Sequence, residues 1–282
     1  ESRPRPGRSL AVRAALAERG YFFATMLRSC VFAGAFFAVL LVSHIVTIPG
    51  LARYDSILAA CLAIQIVLVT ARIETVDELK VLGVFHALGV GLELFKTDPR
   101  VGSWAYPEAA RFAVAGVPLY SGFMYAAVAS FICQAWRRFA VELHDYPPPW
   151  ASLALALAIY ANFFTHHFIV DLRWPLSVAV FLLFRHTAVS FVTRPGTRRR
   201  LPLVVWFVLV GACIWVAENA ATAGGAWAYP DQRLGWRAVS FGKLHSWALL
   251  VILSFVLVAD LKWLKARRDA ARTGAPARVR ES

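Results

Sequence analysis

Acidic residues are scarce in this chain: 17 Asp and Glu stand against 30 Lys and Arg, a formal net charge of +13. Cysteine is scarcer. Cys30, Cys61, Cys133 and Cys213 all fall inside apolar runs without CxxC spacing, so they read as buried small residues and not as disulfides or metal ligands. There is no Gly-rich nucleotide loop, zinc-protease helix or nucleophile elbow, which removes the sequence signatures of nucleotide hydrolases, zinc proteases and α/β-hydrolases. No motif names a cofactor, and no metal site is expected. The basic balance suggests nucleic acid, but the arginines gather at the ends of apolar runs, as membrane topology requires, so no nucleic-acid partner is expected.

What the chain has in excess is apolar sequence. Its 282 residues are 59% hydrophobic with a mean hydropathy of +0.57, against roughly 45–50% apolar in soluble domains. A bilayer core of ~30 Å needs about 20 mostly apolar residues as a helix. Eight segments qualify: 29–48, 54–71, 79–96, 112–135, 150–170, 174–193, 202–220 and 238–260. The expected fold is all-α, a polytopic helical bundle of about eight transmembrane spans over residues 23–265. It is flanked by a basic, largely disordered arm (1–22) and a basic, disordered tail (266–282). The long first apolar run has no clear cleavage site, so a removed signal peptide is not expected. With both termini inside, the inner segments carry 21 Lys and Arg and the outer loops eight. That asymmetry predicts a multi-pass protein of the cell inner membrane with both termini cytoplasmic and the lipid bilayer as its partner.

One peptide occurs twice. Gly102-Ser103-Trp104-Ala105-Tyr106-Pro107-Glu108 returns as Gly225-Ala226-Trp227-Ala228-Tyr229-Pro230-Asp231. Each copy follows an apolar segment that ends in a glutamate, Glu93 or Glu218, and precedes another apolar segment. The topology puts both loops on the outer side, so spans 3–4 and 7–8 form a partial parallel repeat about an axis along the membrane normal. The loop aromatics alone would also fit an interfacial belt.

Ionisable groups inside spans are costly, about 2.5–3.5 kcal/mol each on insertion scales. His86 and Glu93 share a face of span 3, ~10 Å apart along the axis. Gly83, Ala87 and Gly91 form a small-residue stripe expected to pack closely against a neighbour. Asn162 and His166 are i,i+4 neighbours, as are His167 and Asp171. With Arg173, Asn219, Lys243 and His245 they sit at the same outer level and are expected to surround one cavity. Adjacent histidines on a helix point about 100° apart, which argues against His166 and His167 sharing a metal ion. Arg185-His186 reads as buried pairing within span 6, and Glu218 has Lys243 as a candidate ion-pair partner. Pro118 is expected to kink span 4 beside Tyr120 and Ser121.

The stretch Asp77-Glu78-Leu79-Lys80, His86, Gly91 to Lys96, Gly102 to Pro107 and Pro118 to Tyr125 resembles a bacterial multispanning membrane family known as domain of unknown function 817. Trp215 to Asn219, Trp227 to Gln232 and Lys243 to Trp247 carry the same resemblance. It implies an inner-membrane protein and no assigned activity. A fainter similarity, through Glu93, Gly102 to Tyr106 and Pro118, is to membrane carotenoid cyclases and hydratases. Leu119 to Gly122 lack the acidic residues that the cyclases carry after that proline.

Two function classes follow. One is a membrane-embedded enzyme acting on a lipid or isoprenoid. Glu93 and Glu218 would be acid and base, His166, His245 and Lys243 helpers, and His86, Trp104, Tyr106, Tyr120, Asn162, His167, Asp171, Arg173, Asn219, Trp227 and Tyr229 substrate contacts. The loop aromatics would hold an apolar or cationic substrate. The other is a transporter or channel for a small solute or protons, using the same ionisable groups. A structural or assembly protein is the third alternative.

Overall fold

Helix α3 (Arg53–Thr70) is inside-out by the standards of a soluble protein. Its buried face includes Asp55 and Gln65, while Leu62, Ile66 and Val67 are exposed. The same inversion runs through the bundle: Glu74, Glu78, Glu93, Lys96, Gln134 and Glu218 are buried, while Leu157, Phe181, Leu182, Leu209 and Val216 face outward. Exposed apolar faces and enclosed polar groups are what a lipid solvent selects.

The computed structural model describes residues 8–232, 234–273 and 280–281, with side-chain surroundings within 12–262. Among them are nine helices: α1 (Arg8–Ser29), α2 (Val31–Val42), α3, α4 (Val76–Lys96), α5 (Gly122–Arg138), α6 (Pro149–Thr165), α7 (Arg173–Phe184), α8 (Leu203–Ala223) and α9 (Gly242–Thr273). Three are long and apolar enough to cross a membrane: α3, α8 and the Gly242–Lys262 part of α9. The α1–α2 pair, bent by 62°, makes a fourth if counted as one span. The principal packings are α4 on α5, α8 on α9, α6 on α9 and α2 on α5.

Several boundaries differ from the sequence reading. The arm expected to be disordered is helical from Arg8. Its run Leu10 to Arg19 is rich in Ala, Leu and Arg, good helix formers, and Glu18 ties it down through Thr193 (2.7 Å) and Arg199 (2.7 and 2.8 Å). The tail is helical to Thr273, and residues 274–279 and 282 lie outside the described residues. Cys61 and Cys133 are buried, but Cys30 is only half-buried and Cys213 is exposed.

Span 4 was expected from residue 112, yet α5 begins at Gly122. Before it, β1 (Ala113–Val114) and β2 (Val117–Pro118) form a two-residue hairpin whose turn, Ala115 and Gly116, has positive φ at both positions. Pro118 therefore ends a strand and kinks no helix. Span 6 stops at Phe184. The following apolar run, Ala188–Arg194, is strand β4, paired antiparallel with β3 (Glu142–His144) and β5 (Thr197–Pro202), and β3 also pairs parallel with β6 (Arg280–Glu281). Its β-branched and aromatic residues, and a turn at Gly196 with φ +78°, favour a hairpin. Arg185 and His186 lie in the exposed turn before it, the Arg185 Nε donating to His186 at 2.9 Å, so they are not a buried pair.

The small-residue stripe is also displaced. Gly83, Ala87 and Gly91 are exposed. The close approach of α4 to α5 is made at Gly89, where a Cβ would lie 2.4 Å from the Tyr125 ring, and at Gly122, against the backbone of His86. Gly211 on α8 meets the backbone of Ala248 on α9 in the same way.

Candidate functional site

Because α5 starts opposite His86, space remains above it along the last turns of α4. The loop after α4 folds into that space. Its Tyr106 ring packs edge-on against Tyr54 (5.9 Å) and Tyr120 (6.0 Å), and Tyr120 donates to the Ala226 carbonyl at 2.6 Å. The second loop folds in as well: Ala226, Trp227 and Tyr229 are buried. The two copies meet in a reciprocal backbone pair, each of Ala105 and Ala228 donating its N–H to the other's carbonyl at 3.1 Å. The repeated aromatics are thus interior groups, not an interfacial belt.

Each loop returns to the glutamate before it. Glu93, with 1% of its surface exposed, accepts from Trp104 Nε1, Tyr106 OH and Tyr125 OH, all at 2.7 Å. Glu218 accepts from Tyr229 OH and from Trp247 Nε1 of α9. Aromatic O–H and N–H groups satisfy the carboxylates while their rings keep the surroundings apolar. Glu218 takes these bonds instead of one from Lys243, whose Nζ stands over the Tyr229 ring at 4.5 Å and the Trp104 ring at 5.9 Å.

In front of this aromatic wall lies a cavity of about 150 Å³. Trp104, Tyr125, Tyr229 and Trp247 form part of its lining, with Lys96 from α4, Asn162, His166 and His167 from the end of α6, Arg173 from α7 and Lys243 from α9. Lys96 Nζ is 2.8 Å from His167 Nε2, and the two histidine rings lie tilted against each other at 38° with centroids 4.0 Å apart. Asn162 accepts from the Leu172 N–H at 3.0 Å, which fixes the α6–α7 turn. In that turn burial works against ionising Asp171, but the side chain and backbone N–H of Arg173, with Asn162, prevail and hold its carboxyl down at about 2. Arg173 bonds Asp171 at 2.5 Å and reaches Ser246 at 2.9 Å.

The expected constellation therefore comes together in part. Trp104, Asn162, His166, His167, Arg173, Tyr229 and Lys243 line one cavity, with Asp171 behind Arg173. Glu93 and Glu218 stand behind the wall and do not line it. Tyr106 and Tyr120 are packed in the loop core, and Trp227 is buried there too. Asn219 pins the second loop by accepting from the Val239 N–H at 2.9 Å. His245 bonds Ser177 and stacks on Trp174 at 4.8 Å, outside the cavity lining. His86 lies deeper, against Phe123, with Nδ1 buried and unpartnered among the described residues. Tyr125, Lys96, Ser246 and Trp247 are the site residues that sequence reasoning missed. Lys96 was legible, since it lies one turn after Glu93 on the same face.

Among the described residues no three His, Cys, Asp or Glu side chains gather to hold a metal ion. No solved structure matches this chain. The uncharacterized protein YoaT of Bacillus subtilis (strain 168) is 51% identical over 237 residues, 84% of this chain and 89% of that protein. Residues 19–255, which include both glutamates, both loops and the cavity lining, match the model of proteins of unknown function DUF817, and the chain belongs to that family.

Proposed function

We propose that this protein is a membrane-embedded enzyme of the cell inner membrane that moves protons on a lipophilic substrate. The exposed apolar helix faces support the membrane setting. The charge asymmetry of the loops supports cytoplasmic termini and eight membrane-inserted segments, with α1 and α2 as one bent segment. Helix α7, at 12 residues, is about 18 Å long and would reach only partway. The matched loops, each closing on its own glutamate, support a parallel internal repeat.

The observation that carries the enzymatic reading is that Tyr125 and Tyr229, one from each half, belong to the wall of one cavity and each donates its hydroxyl to a buried glutamate. A substrate proton taken up by one phenol oxygen is matched by that phenol's own proton passing to its glutamate. The other pair, starting protonated, returns a proton elsewhere on the substrate, so the substrate's protons balance while the two glutamates exchange protonation states, and a proton passes back between the pairs before the next turnover. His166 and His167 at the cavity are the direct exchange groups. The test is lipid and pigment profiling of a deletion strain restored with wild type, Glu93→Gln, Glu218→Gln or Tyr229→Phe. A species lost on deletion, recovered with wild type and not with the variants, is expected. Identical profiles in all strains would sink the reading.

A second reading, proton-coupled transport, is favoured by the other end of α4. There Glu74 is buried and takes bonds from Gln65, Ser130 and Gln134 (the last at 3.1 Å), and His86, whose buried Nδ1 has no hydrogen-bond partner among the described residues, lies between the two carboxylates in sequence. Uptake into proteoliposomes driven by a pH gradient and lost in Glu74→Gln would establish it.

A further inference from the structure

The cavity wall is one-sided in its charge. Lys96, Arg173 and Lys243 are its cationic, donor-only groups, and among the described residues no Asp or Glu is part of the lining. The carboxylates nearby are spoken for: Glu93 and Glu218, behind the wall, by its indoles and phenols, Asp171 by Arg173. Lys96 gives one of its three N–H groups to His167, and the Lys243 ammonium has no hydrogen-bond acceptor among the described residues, only the Tyr229 and Trp104 rings beneath it. Two ammonium groups sharing one small cavity repel each other, and an anion bound between them offsets that repulsion. The Trp104 and Tyr229 rings of the wall already carry Lys243, and the Phe163 ring carries Lys96.

We infer that the cavity binds an oxyanion, the phosphate or carboxylate headgroup of a lipid, between Lys96 and Lys243. This names the substrate class of the site proposed above and rests on that reading. A cavity of about 150 Å³ accepts a body the size of benzene, so a headgroup fits and a lipid chain does not. The chain has a path outside. The turn that follows His167 exposes Phe168, Ile169 and Val170 in succession, an apolar strip at the cavity edge.

The experiment is binding to the purified full chain in detergent, followed by tryptophan fluorescence, since Trp104 and Trp247 line the cavity. The probes are farnesyl phosphate, farnesol, farnesylamine and inorganic phosphate. Farnesyl phosphate is expected to bind at least about ten-fold tighter than farnesol, as charge-assisted hydrogen bonds require. Lys96→Met and Lys243→Met should each reduce it toward farnesol, with Lys→Arg restoring part. Inorganic phosphate should compete only weakly. Equal binding by farnesol and farnesyl phosphate, or tighter binding of farnesylamine, would overturn the inference. Inorganic phosphate binding as tightly as farnesyl phosphate would overturn the lipid source and keep the oxyanion. The headgroup series needs only the wild-type chain, so a misfolded variant does not blunt it. Binding without any lipid change in the deletion strain would leave this inference standing and remove the enzymatic one.

Discussion

The two copies of the repeated peptide are used differently. The first supplies both of its large aromatics to its glutamate, Trp104 and Tyr106, and α5 adds Tyr125. The second supplies only Tyr229; Trp227 goes into the core, and Trp247 of α9 is the other donor. Glu93 thus has three donors and Glu218 two. The peptide is a frame for burying a carboxylate, and the number of donors sets how tightly each is held. On the enzymatic reading proposed above, both nests pass protons, and the looser one, beside Lys243, has fewer donors to compete with that exchange.

The largest effect should come from removing the carboxylates. Glu93→Ala strands three donors and Glu218→Ala two. At about 1–3 kcal/mol per unsatisfied buried group, Glu93→Ala should unfold at the lower temperature in detergent. The reverse order would break the comparison. Next, Tyr229→Phe removes one of two donors and Trp104→Phe one of three. Tyr229→Phe should cost about 1–3 kcal/mol, and Trp104→Phe less, by the same melts.

The helix contacts under the two nests give a sharper version. Gly89→Ala drives a Cβ into the Tyr125 ring, which must turn away from Glu93, whereas Gly211→Ala meets the backbone of Ala248 and cannot be relieved by a rotamer. Both should cost roughly 1–3 kcal/mol, with only Gly89→Ala reproducing the Tyr125→Phe phenotype. Gly83→Ala and Gly91→Ala should be neutral or slightly stabilising by helix propensity. Any comparable loss of stability at Gly83 would restore the stripe that the sequence suggested.

The smallest effect is a pH dependence at the cavity edge. The folded pKa of Asp171 is lowered to about 2, from an ordinary value of 3.8. Its stabilising contribution is therefore present above pH 4 and lost as pH falls toward 2. Between pH 4 and pH 2 the melting temperature of the wild type should fall further than that of Asp171→Asn.

The glutamates and loops were legible because they occur twice, and a repeat stands out against apolar background. The level at which Lys243, Asn162 and the histidines meet was legible from charge counting. The hairpin at 188–202 was not, because in a chain this apolar Ala188-Val189-Ser190-Phe191-Val192 has the composition of a helical span, and its pairing with 197–202 and 142–144 is what distinguishes it. The late start of α5 was hidden the same way: Phe112 to Tyr120 is apolar enough for a helix, and the clue was the turn at Ala115-Gly116. Glu93 and Glu218 were expected at a cavity surface, but sequence does not reveal which hydroxyls will screen them.

The pairing of Ala105 with Ala228 carries a consequence for biosynthesis. Ala105 is made when only α1 to α4 precede it, and the backbone groups that complete it are not synthesised until α8 is finished. Until then two backbone hydrogen bonds of the first loop are unmet. The N-terminal half is therefore not a finished module that the second half joins. It waits, open, for its counterpart, and split chains should rescue one another only when both halves are present in the same membrane.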